Sequence, residues 1–168
     1  MKTLSMLVLD VDGTLTSGAI TYSSNDESKT FNVKDGLILR SLPRLGIRIV
    51  FLTGRYSEAV ERRASELYAT VIQGVEDKKV ALLETLSRHD NSSETVAYIG
   101  DDLNDYCAMK LCGFKAAPSD AVSEIKAICD YVSPFPGGHG AVRDICEHLL
   151  REVGKYDEFL ILHGIEEF

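Results

Sequence analysis

The sequence has few cysteines and no arrangement of them that points to a metal–thiolate site. Four cysteines occur among 168 residues, none in a C-x-x-C pair, and no histidine lies at zinc-finger spacing. We therefore expect reduced thiols rather than a zinc site or a disulfide framework. These residues are Cys107, Cys112, Cys129 and Cys146.

Basic residues are also scarce. Lysine and arginine together number 18 against 26 aspartates and glutamates, which gives a net charge of −8. Because binding to a phosphate backbone needs a basic face, we expect no nucleic-acid partner. A small phosphate can still bind where a metal ion and a few cations reverse the local field.

Long apolar runs are absent, so we expect no membrane-spanning segment. The apolar stretch at residues 1–9 is short, is interrupted by Asp10 and Asp12, and is followed by no small-residue cleavage site. It is typical of a buried strand in a cytoplasmic protein. The length predicts one domain over residues 1–168, with enough interior for a hydrophobic core.

Continuous apolar runs alternate with helical patterns along the chain. Such runs are typical of parallel strands that are covered on both faces, and the alternation predicts an α/β fold with a doubly wound parallel sheet. We predict strands at residues 4–9, 47–52, 95–99, 114–116 and 131–132, and helices at residues 36–45, 57–67, 77–88, 103–111, 121–128 and 141–153.

Two segments depart from this alternation. Short strands at 20–22 and 30–33 around a polar stretch predict a β-hairpin flap over about 19–33, next to Asp10. The tail at about 155–168 is too apolar to be solvated. We expect it to pack on protein, and a neighbouring subunit is one candidate.

Three of the predicted strands end in residues suited to phosphoryl transfer, namely Asp10, Thr53 and Asp101. Ligands of open parallel sheets bind beyond the carboxyl ends of the strands, so these residues should converge. Asp10 and Asp12 follow a buried strand, where two carboxylates are costly unless a cation offsets their charge. Magnesium suits such oxygen ligands.

The other two clusters supply complementary groups. Thr53 offers a hydroxyl and an N–H group to a phosphoryl oxygen, and Gly54 allows close approach. Asp101 belongs to a second carboxylate cluster that suits the same cation. Lys78 begins a helix, where the dipole disfavours a cation. That position is reasonable if its ammonium reaches a phosphate or a carboxylate.

The order of the motifs DVDGTLT, TGR, lysine and GDDLND resembles the haloacid dehalogenase superfamily of phosphohydrolases. The resemblance implies that Asp10 is the nucleophile and that Asp12 is the general acid and base. It also implies that Thr53 and Lys78 stabilise the phosphoryl oxygens. Lys78 rather than Lys79 fits the pattern Q-G-x-x-x-K of the resembling subfamily.

The same resemblance implies a magnesium site. Its ligands would be the carboxylates of Asp10 and Asp101 and the main-chain carbonyl of Asp12. Asp102 and Asp105 would support this site from behind the direct ligands, with Asp102 acting through water or Lys78.

The spacing of the motifs leaves no room for a cap domain, so we expect a neighbouring copy to close the site. The segments FNVKDG and GGHGAVRD resemble capless 3-deoxy-D-manno-octulosonate 8-phosphate phosphatases, which implies a homotetramer joined through the hairpins and a phosphorylated sugar acid as substrate. The subfamily differs at three places, where this chain has Ser17-Gly18, Leu37 and His139. These departures leave 2-keto-3-deoxynonulosonate 9-phosphate as an alternative substrate.

The sequence leaves open the role of Arg55 and two alternative functions. Gly54, Arg55 and Asp12 are candidate substrate-binding residues. Arg55 would bind a substrate carboxylate or phosphate, or else pair with a surface acid. A nucleotidase or phosphotransferase of the same fold is an alternative. A catalytically inactive oligomerisation domain is another. The intact set of catalytic residues argues against it, namely Asp10, Asp12, Thr53, Lys78 and Asp101.

Overall fold

Six parallel strands form the central sheet of the computed structural model, which describes residues 1–22, 27–89 and 91–166. The strands are β1 (Met6–Leu9), β4 (Arg48–Leu52), β5 (Thr70–Ile72), β6 (Val96–Ile99), β7 (Phe114–Ala117) and β8 (Tyr131–Val132). Their order in the sheet is β5-β4-β1-β6-β7-β8, so β1 lies between β4 and β6. A separate antiparallel pair, β2 (Thr21–Tyr22) and β3 (Glu27–Ser28), forms the hairpin.

Helices cover both faces of the sheet. Both faces are apolar, because successive side chains of β1 point to opposite sides and enter two separate apolar clusters. The helices are α1 (Val33–Ser41), α2 (Glu58–Glu66), α3 (Lys78–Arg88), α4 (Tyr106–Met109), α5 (Ser123–Lys126), α6 (Ala141–Glu152) and α7 (Tyr156–Ile161). Leu7 and Leu9 pack in the cluster that includes residues of α1, α2, α6 and α7, whereas Met6 and Val8 pack with α3, α4 and α5. The predicted doubly wound α/β fold is confirmed.

The hairpin was predicted correctly, but its second strand was placed wrongly. The returning strand is Glu27–Ser28, and Val33 already begins α1. Asn32 ends the extended segment, because its side chain accepts a hydrogen bond from the Lys34 N–H and so caps the helix. Four residues of the predicted polar loop, 23–26, lie outside the described residues.

The predicted helix at 103–111 is shorter, since α4 begins only at Tyr106. The turn before α4 is held instead by the Asp105 carboxylate, which accepts hydrogen bonds from the backbone N–H groups of Asp101 and Asp102. A side chain that satisfies backbone donors in this way competes with helix formation. The turn places Asp101 at the end of β6.

The C-terminal segment packs on its own chain. Phe159 of α7 is buried, the Lys155 ammonium donates to the Leu45 carbonyl at 2.7 Å, and His163 Nε2 lies 3.0 Å from Ser41 Oγ. Within the tail that was expected to pack on protein, Phe159, Leu160 and Leu162 pack against the core, whereas Ile161 and Ile165 are exposed. Arg143 of α6 lies over the Phe159 ring, 5.1 Å from its centroid, so a neighbouring subunit is not needed to cover Phe159.

The connections between the strands that carry the motifs are short. Between β1 and β4 lie the hairpin, α1 and one 3₁₀ turn (Leu42–Leu45); between β4 and β6 lie α2, β5, α3 and a second 3₁₀ turn (Ser93–Thr95). Neither connection holds a cap domain among the described residues. Throughout that part of the chain, every helix is too short or too polar to cross a bilayer.

Candidate active site

The carboxyl ends of β1, β4 and β6 bring Asp10, Thr53 and Asp101 to one edge of the sheet. The Asp10 N–H donates to the Ile99 carbonyl at 2.9 Å, which continues the pairing of β1 with β6. A cavity of about 190 Å³ opens at this edge. Its lining comprises Asp10, Asp12, Thr53, Gly54, Arg55, Asp102 and Asn104, of which Asn104 alone was not predicted as a site residue.

Lys78 reaches the floor of this site. Its ammonium donates to Asp10 Oδ1 at 2.6 Å and to Asp105 Oδ1 at 2.7 Å, and its side chain is only 1% exposed. Asp77 caps α3 by accepting from two N–H groups of its first turn, which fixes Lys78 at the start of the helix. The neighbouring Lys79 is exposed. The structure therefore brings Lys78, and not Lys79, to Asp10.

Asp105 is fully buried and gathers donors from several elements. Besides Lys78, the Tyr98 hydroxyl donates to its Oδ1 at 2.8 Å, and Oδ2 accepts from the Asp101 N–H at 3.2 Å. Gly100 leaves the space for this side chain, since a Cβ there would lie 2.6 Å from the Asp105 carboxyl. Asp105 therefore positions both Lys78 and the Asp101 turn.

The expected contact between Asp102 and Lys78 is not found among the described residues. Asp102 is exposed, and its Oδ1 accepts from the Leu103 N–H at 2.7 Å. Asp105 occupies the position next to Lys78 because the turn from Asp102 to Asp105 directs the latter side chain inward. Asp102 lines the rim of the cavity instead.

Three carboxyl groups form a potential cation site. Oxygens of Asp10, Asp101 and Asp105 lie within 4.8 Å of one another. Burial, followed by repulsion from Asp105, raises the pKa of Asp10 to about 6. Burial, followed by repulsion from Asp10 and Asp105, raises the pKa of Asp101 to about 8. A divalent cation would offset this crowding of negative charge, and carboxylate oxygens are the ligands that magnesium prefers.

The backbone around Gly13 fits closely against this carboxylate group. Gly13 has φ +94°, and a Cβ there would lie 2.0 Å from Asp101 Oδ2. The Thr14 hydroxyl donates to Asp101 Oδ1 at 3.1 Å. On the other side, Gly137 packs on the Gly13 carbonyl so tightly that a Cβ would approach it to 1.8 Å. The DVDGT turn is thus clamped between Asp101 and the glycine-rich loop before α6.

Asp12 turns away from the three-carboxylate group and contacts the hairpin. Its Oδ1 accepts a hydrogen bond from the Lys29 ammonium, which also lies 2.6 Å from Glu27 Oε1. Glu27 Oε2 in turn pairs with the Arg55 guanidinium. Burial tends to lower the pKa of Lys29, but Asp12 and Glu27 outweigh it and raise that pKa.

Sequence reasoning missed Lys29 and Glu27, because both lie in the segment interpreted as a polar flap. Their spacing of two residues, which puts both side chains on one face of an extended strand, is the signal that was available. For Arg55, the structure shows the acid-paired arrangement, with Glu27 as the acid. The Arg55 side chain is still 43% exposed at the mouth of the cavity.

Comparison with known proteins gives the family. The sequence profile of the haloacid dehalogenase-like hydrolases matches residues 63–143. The 3-deoxy-D-manno-octulosonate 8-phosphate phosphatase KdsC of Escherichia coli (strain K12) is 39% identical over 159 residues, covering 94% of this chain and 85% of that protein. The chain belongs to the haloacid dehalogenase superfamily.

Solved structures of other superfamily members agree with this assignment. The 3-deoxy-D-manno-octulosonate 8-phosphate phosphatase of Moraxella catarrhalis, in complex with magnesium, phosphate and KDO, superposes with a TM-score of 0.92 at 38% identity, covering 96% of this chain and 94% of that one. The cobalt-bound phosphatase YrbI of Haemophilus influenzae gives a TM-score of 0.91 at 33% identity, with coverage of 99% and 98%. The haloacid dehalogenase-type α/β fold expected from the sequence is confirmed.

Proposed function

We propose that this protein is a single-domain, magnesium-dependent phosphatase that hydrolyses 3-deoxy-D-manno-octulosonate 8-phosphate through an aspartyl-phosphate on Asp10. The observation that carries the proposal is the placement of the Asp10 carboxylate. It ends the central strand, lies 2.6 Å from the buried Lys78 ammonium, and lines a cavity that Asp12 and Thr53 also line.

The residues allow a two-step displacement. An Asp10 oxygen attacks phosphorus, the bond between phosphorus and the ester oxygen breaks, and Asp12 gives its proton to that leaving oxygen. Asp12 then takes a proton from a water molecule that attacks the same phosphorus. The bond between phosphorus and Asp10 breaks, which releases inorganic phosphate and restores both carboxyl groups.

Lys78 and Thr53 complete the electrostatics of both steps. Lys78 provides a fixed positive charge beside the attacking oxygen, and we assign the Thr53 hydroxyl to the phosphoryl oxygens. The Thr53 N–H, expected from the sequence to share this role, instead donates to the Ile72 carbonyl at 3.0 Å. We assign Asp10, Asp101 and the Asp12 carbonyl as the groups that hold Mg²⁺, with Asp105 buried behind them and Asp102 at the rim of the cavity. When bound, the ion supplies positive charge for the phosphoryl oxygens and the attacking carboxylate.

The proposed substrate rests on the named relatives together with Arg55. A guanidinium at the mouth of the cavity suits the carboxylate of a sugar acid, and Gly54 leaves room beside it. The nine-carbon alternative, 2-keto-3-deoxynonulosonate 9-phosphate, carries the same carboxylate. It differs in length and hydroxyl pattern, so direct comparison of the two compounds is informative.

We further propose that the protein is a cytoplasmic homotetramer. Its four cysteines are free thiols, as is usual in reducing compartments. The hairpin supports the assembly, because Tyr22 is 76% exposed and Ile20 43% exposed beside a cavity that lacks a cap. Native mass spectrometry of the purified protein should show four copies. A monomer, or an Ile20→Asp variant that assembles unchanged, would argue against the hairpin as the interface.

The experiment that tests the proposed function is steady-state kinetics on a panel of phosphate esters with Mg²⁺. The panel contains the eight-carbon and nine-carbon sugar-acid phosphates, nucleoside monophosphates and p-nitrophenyl phosphate, with Asp10→Asn as the inactive control. We expect the highest kcat/KM on the eight-carbon compound. A preference for a nucleotide would overturn the sugar-acid assignment, and activity equal to that of Asp10→Asn would favour the inactive oligomerisation domain.

A further inference from the structure

The Asp12 carboxylate is held by one oxygen only. Oδ1 accepts from the Lys29 ammonium, whereas Oδ2 is buried and has no hydrogen-bond partner among the residues that the structure describes. An unpaired buried oxygen is costly, and such atoms are rare unless they serve a function. The two Asp12 oxygens therefore differ, because Lys29 holds Oδ1 and Oδ2 is unpaired. Asp12 also lines the cavity.

The residue that holds Asp12, Lys29, belongs to the hairpin and not to one of the turns that follow the strands of the central sheet. Lys29 follows β3 directly, and its side chain is only 3% exposed despite its place on a surface hairpin. The side chain therefore crosses inward to reach Asp12. A lysine pays a large entropic cost to be ordered in this way, which its two carboxylate partners must offset.

Glu27 keeps Lys29 in this position. Its Oε1 lies 2.6 Å from the Lys29 ammonium, and its Oε2 pairs with Arg55 of the TGR loop. The ion pairs thus run in one line from Arg55 through Glu27 and Lys29 to Asp12. The line connects the turn after β4, the hairpin and the turn after β1, which are the parts of the chain that surround the leaving group in the proposed reaction.

From this arrangement we propose that Lys29 is a positioning residue for the reaction: it fixes Asp12 through Oδ1 so that Oδ2 delivers and later receives the proton. The proposal rests on the phosphatase activity proposed above and names a residue outside the family motifs found in the sequence. It also gives the hairpin a role within its own chain, since the hairpin orients the general acid of a site that has no cap.

A double-mutant cycle tests this directly. Lys29→Met keeps the aliphatic stem and removes the ammonium group. With p-nitrophenyl phosphate and Mg²⁺, we expect it to lower kcat about 10- to 100-fold, because small misplacements of a catalytic group cost rates of this order. KM should stay nearly constant. In an Asp12→Asn background the same change should alter kcat by less than about twofold, because no catalytic carboxylate is then left for Lys29 to position; independent sites would instead show the same loss in both backgrounds.

Two further variants separate positioning from folding. Lys29→Arg retains the positive charge and should recover a large part of kcat, and Lys79→Met removes an exposed lysine and should leave kcat unchanged. Thermal unfolding of each variant shows whether it is folded. If Lys29→Met unfolds, the comparison of Lys29→Arg with Lys29→Gln in the two backgrounds gives the same cycle.

The outcomes are distinct. Equal losses of kcat in the wild-type and Asp12→Asn backgrounds would overturn the assignment of Lys29 while leaving the phosphatase intact. A rise in KM without a fall in kcat would also overturn it, because Lys29 would then bind substrate. No hydrolysis by the unaltered protein would overturn the proposed function itself, and this inference with it.

Discussion

The ammonium group of Lys78 lies 2.6 Å from Oδ1 of Asp10, with side chains that are 1% and 6% exposed. A second carboxylate, that of Asp105, accepts from the same ammonium at 2.7 Å. Removing one member of a buried group of charges leaves the others uncompensated. Lys78 therefore has two separable roles, one in stability and one in the proposed chemistry.

Replacing Lys78 by Met should reduce both properties. We expect a loss of about 3–5 kcal/mol in the free energy of unfolding at neutral pH, because Asp10 and Asp105 remain buried without their cation. Phosphatase activity should fall to near that of Asp10→Asn. Urea unfolding and initial-rate measurements check the two effects.

The adjacent lysine offers a matched control for this prediction. Lys79 is exposed, and exposed substitutions usually change the free energy of unfolding by less than about 0.5 kcal/mol. Lys79→Met should therefore behave like the wild type. If the two variants prove equally stable and equally active, the assignment of Lys78 is wrong.

The crowded carboxylates predict how pH and magnesium affect stability. In the metal-free fold, the pKa is about 6 for Asp10 and about 8 for Asp101, both above the ordinary value of 3.8. The folded state then binds protons more tightly than the unfolded chain, so the free energy of unfolding contributed by these groups falls as pH rises from about 4 to about 8. Melting temperatures in EDTA across this range measure the effect.

Magnesium should reverse this loss, because the ion competes with protons for the same oxygens. The rise in melting temperature on adding Mg²⁺ should be larger at pH 8 than at pH 5. Asp101→Asn should reduce both the pH-dependent loss and the response to magnesium. A magnesium response that is the same at both pH values would contradict a cation site at Asp10 and Asp101.

Arg55 is expected to select the substrate. A hydrogen bond to a charged group contributes about 1.5–3 kcal/mol, so Arg55→Ala should lower kcat/KM for the sugar-acid phosphate by about 10- to 100-fold. The loss for p-nitrophenyl phosphate, which has no carboxylate, should be much smaller. Arg62→Ala is the control, since Arg62 is an exposed arginine of α2. Equal losses on both substrates would mean that Arg55 supports the hairpin and does not recognise the substrate.

The sequence predicted the site residues well where their convergence follows from the arrangement of parallel strands. Apolar runs that end in Asp10, Thr53 and Asp101 could be assigned to neighbouring parallel strands, and the ends of such strands necessarily meet. Short local signals were less reliable. The capping role of Asn32 converted a predicted strand into the start of α1, because a side-chain hydrogen bond outweighed the β propensity of Phe31 and Val33.

Side-chain contacts between distant parts of the chain could not be predicted from the hydrophobic pattern of the sequence. Asp102 and Asp105 belong to one motif, and only the direction of the turn decides which of them meets Lys78. Lys29 is a surface residue by composition and sequence position. Its burial depends on the way the hairpin folds over Asp12, which no local periodicity encodes.

Asp10 is the residue that we expect to carry the phosphoryl group, and chemical trapping of the aspartyl-phosphate can detect it there. The protein is mixed with Mg²⁺ and 3-deoxy-D-manno-octulosonate 8-phosphate, quenched in acid during turnover and reduced with borohydride, which converts an acyl phosphate to an alcohol. Peptide mass spectrometry should then find homoserine at position 10, in a substrate-dependent manner. Phosphate release with an unmodified Asp10, or with the reduction product at another aspartate, would contradict the assignment.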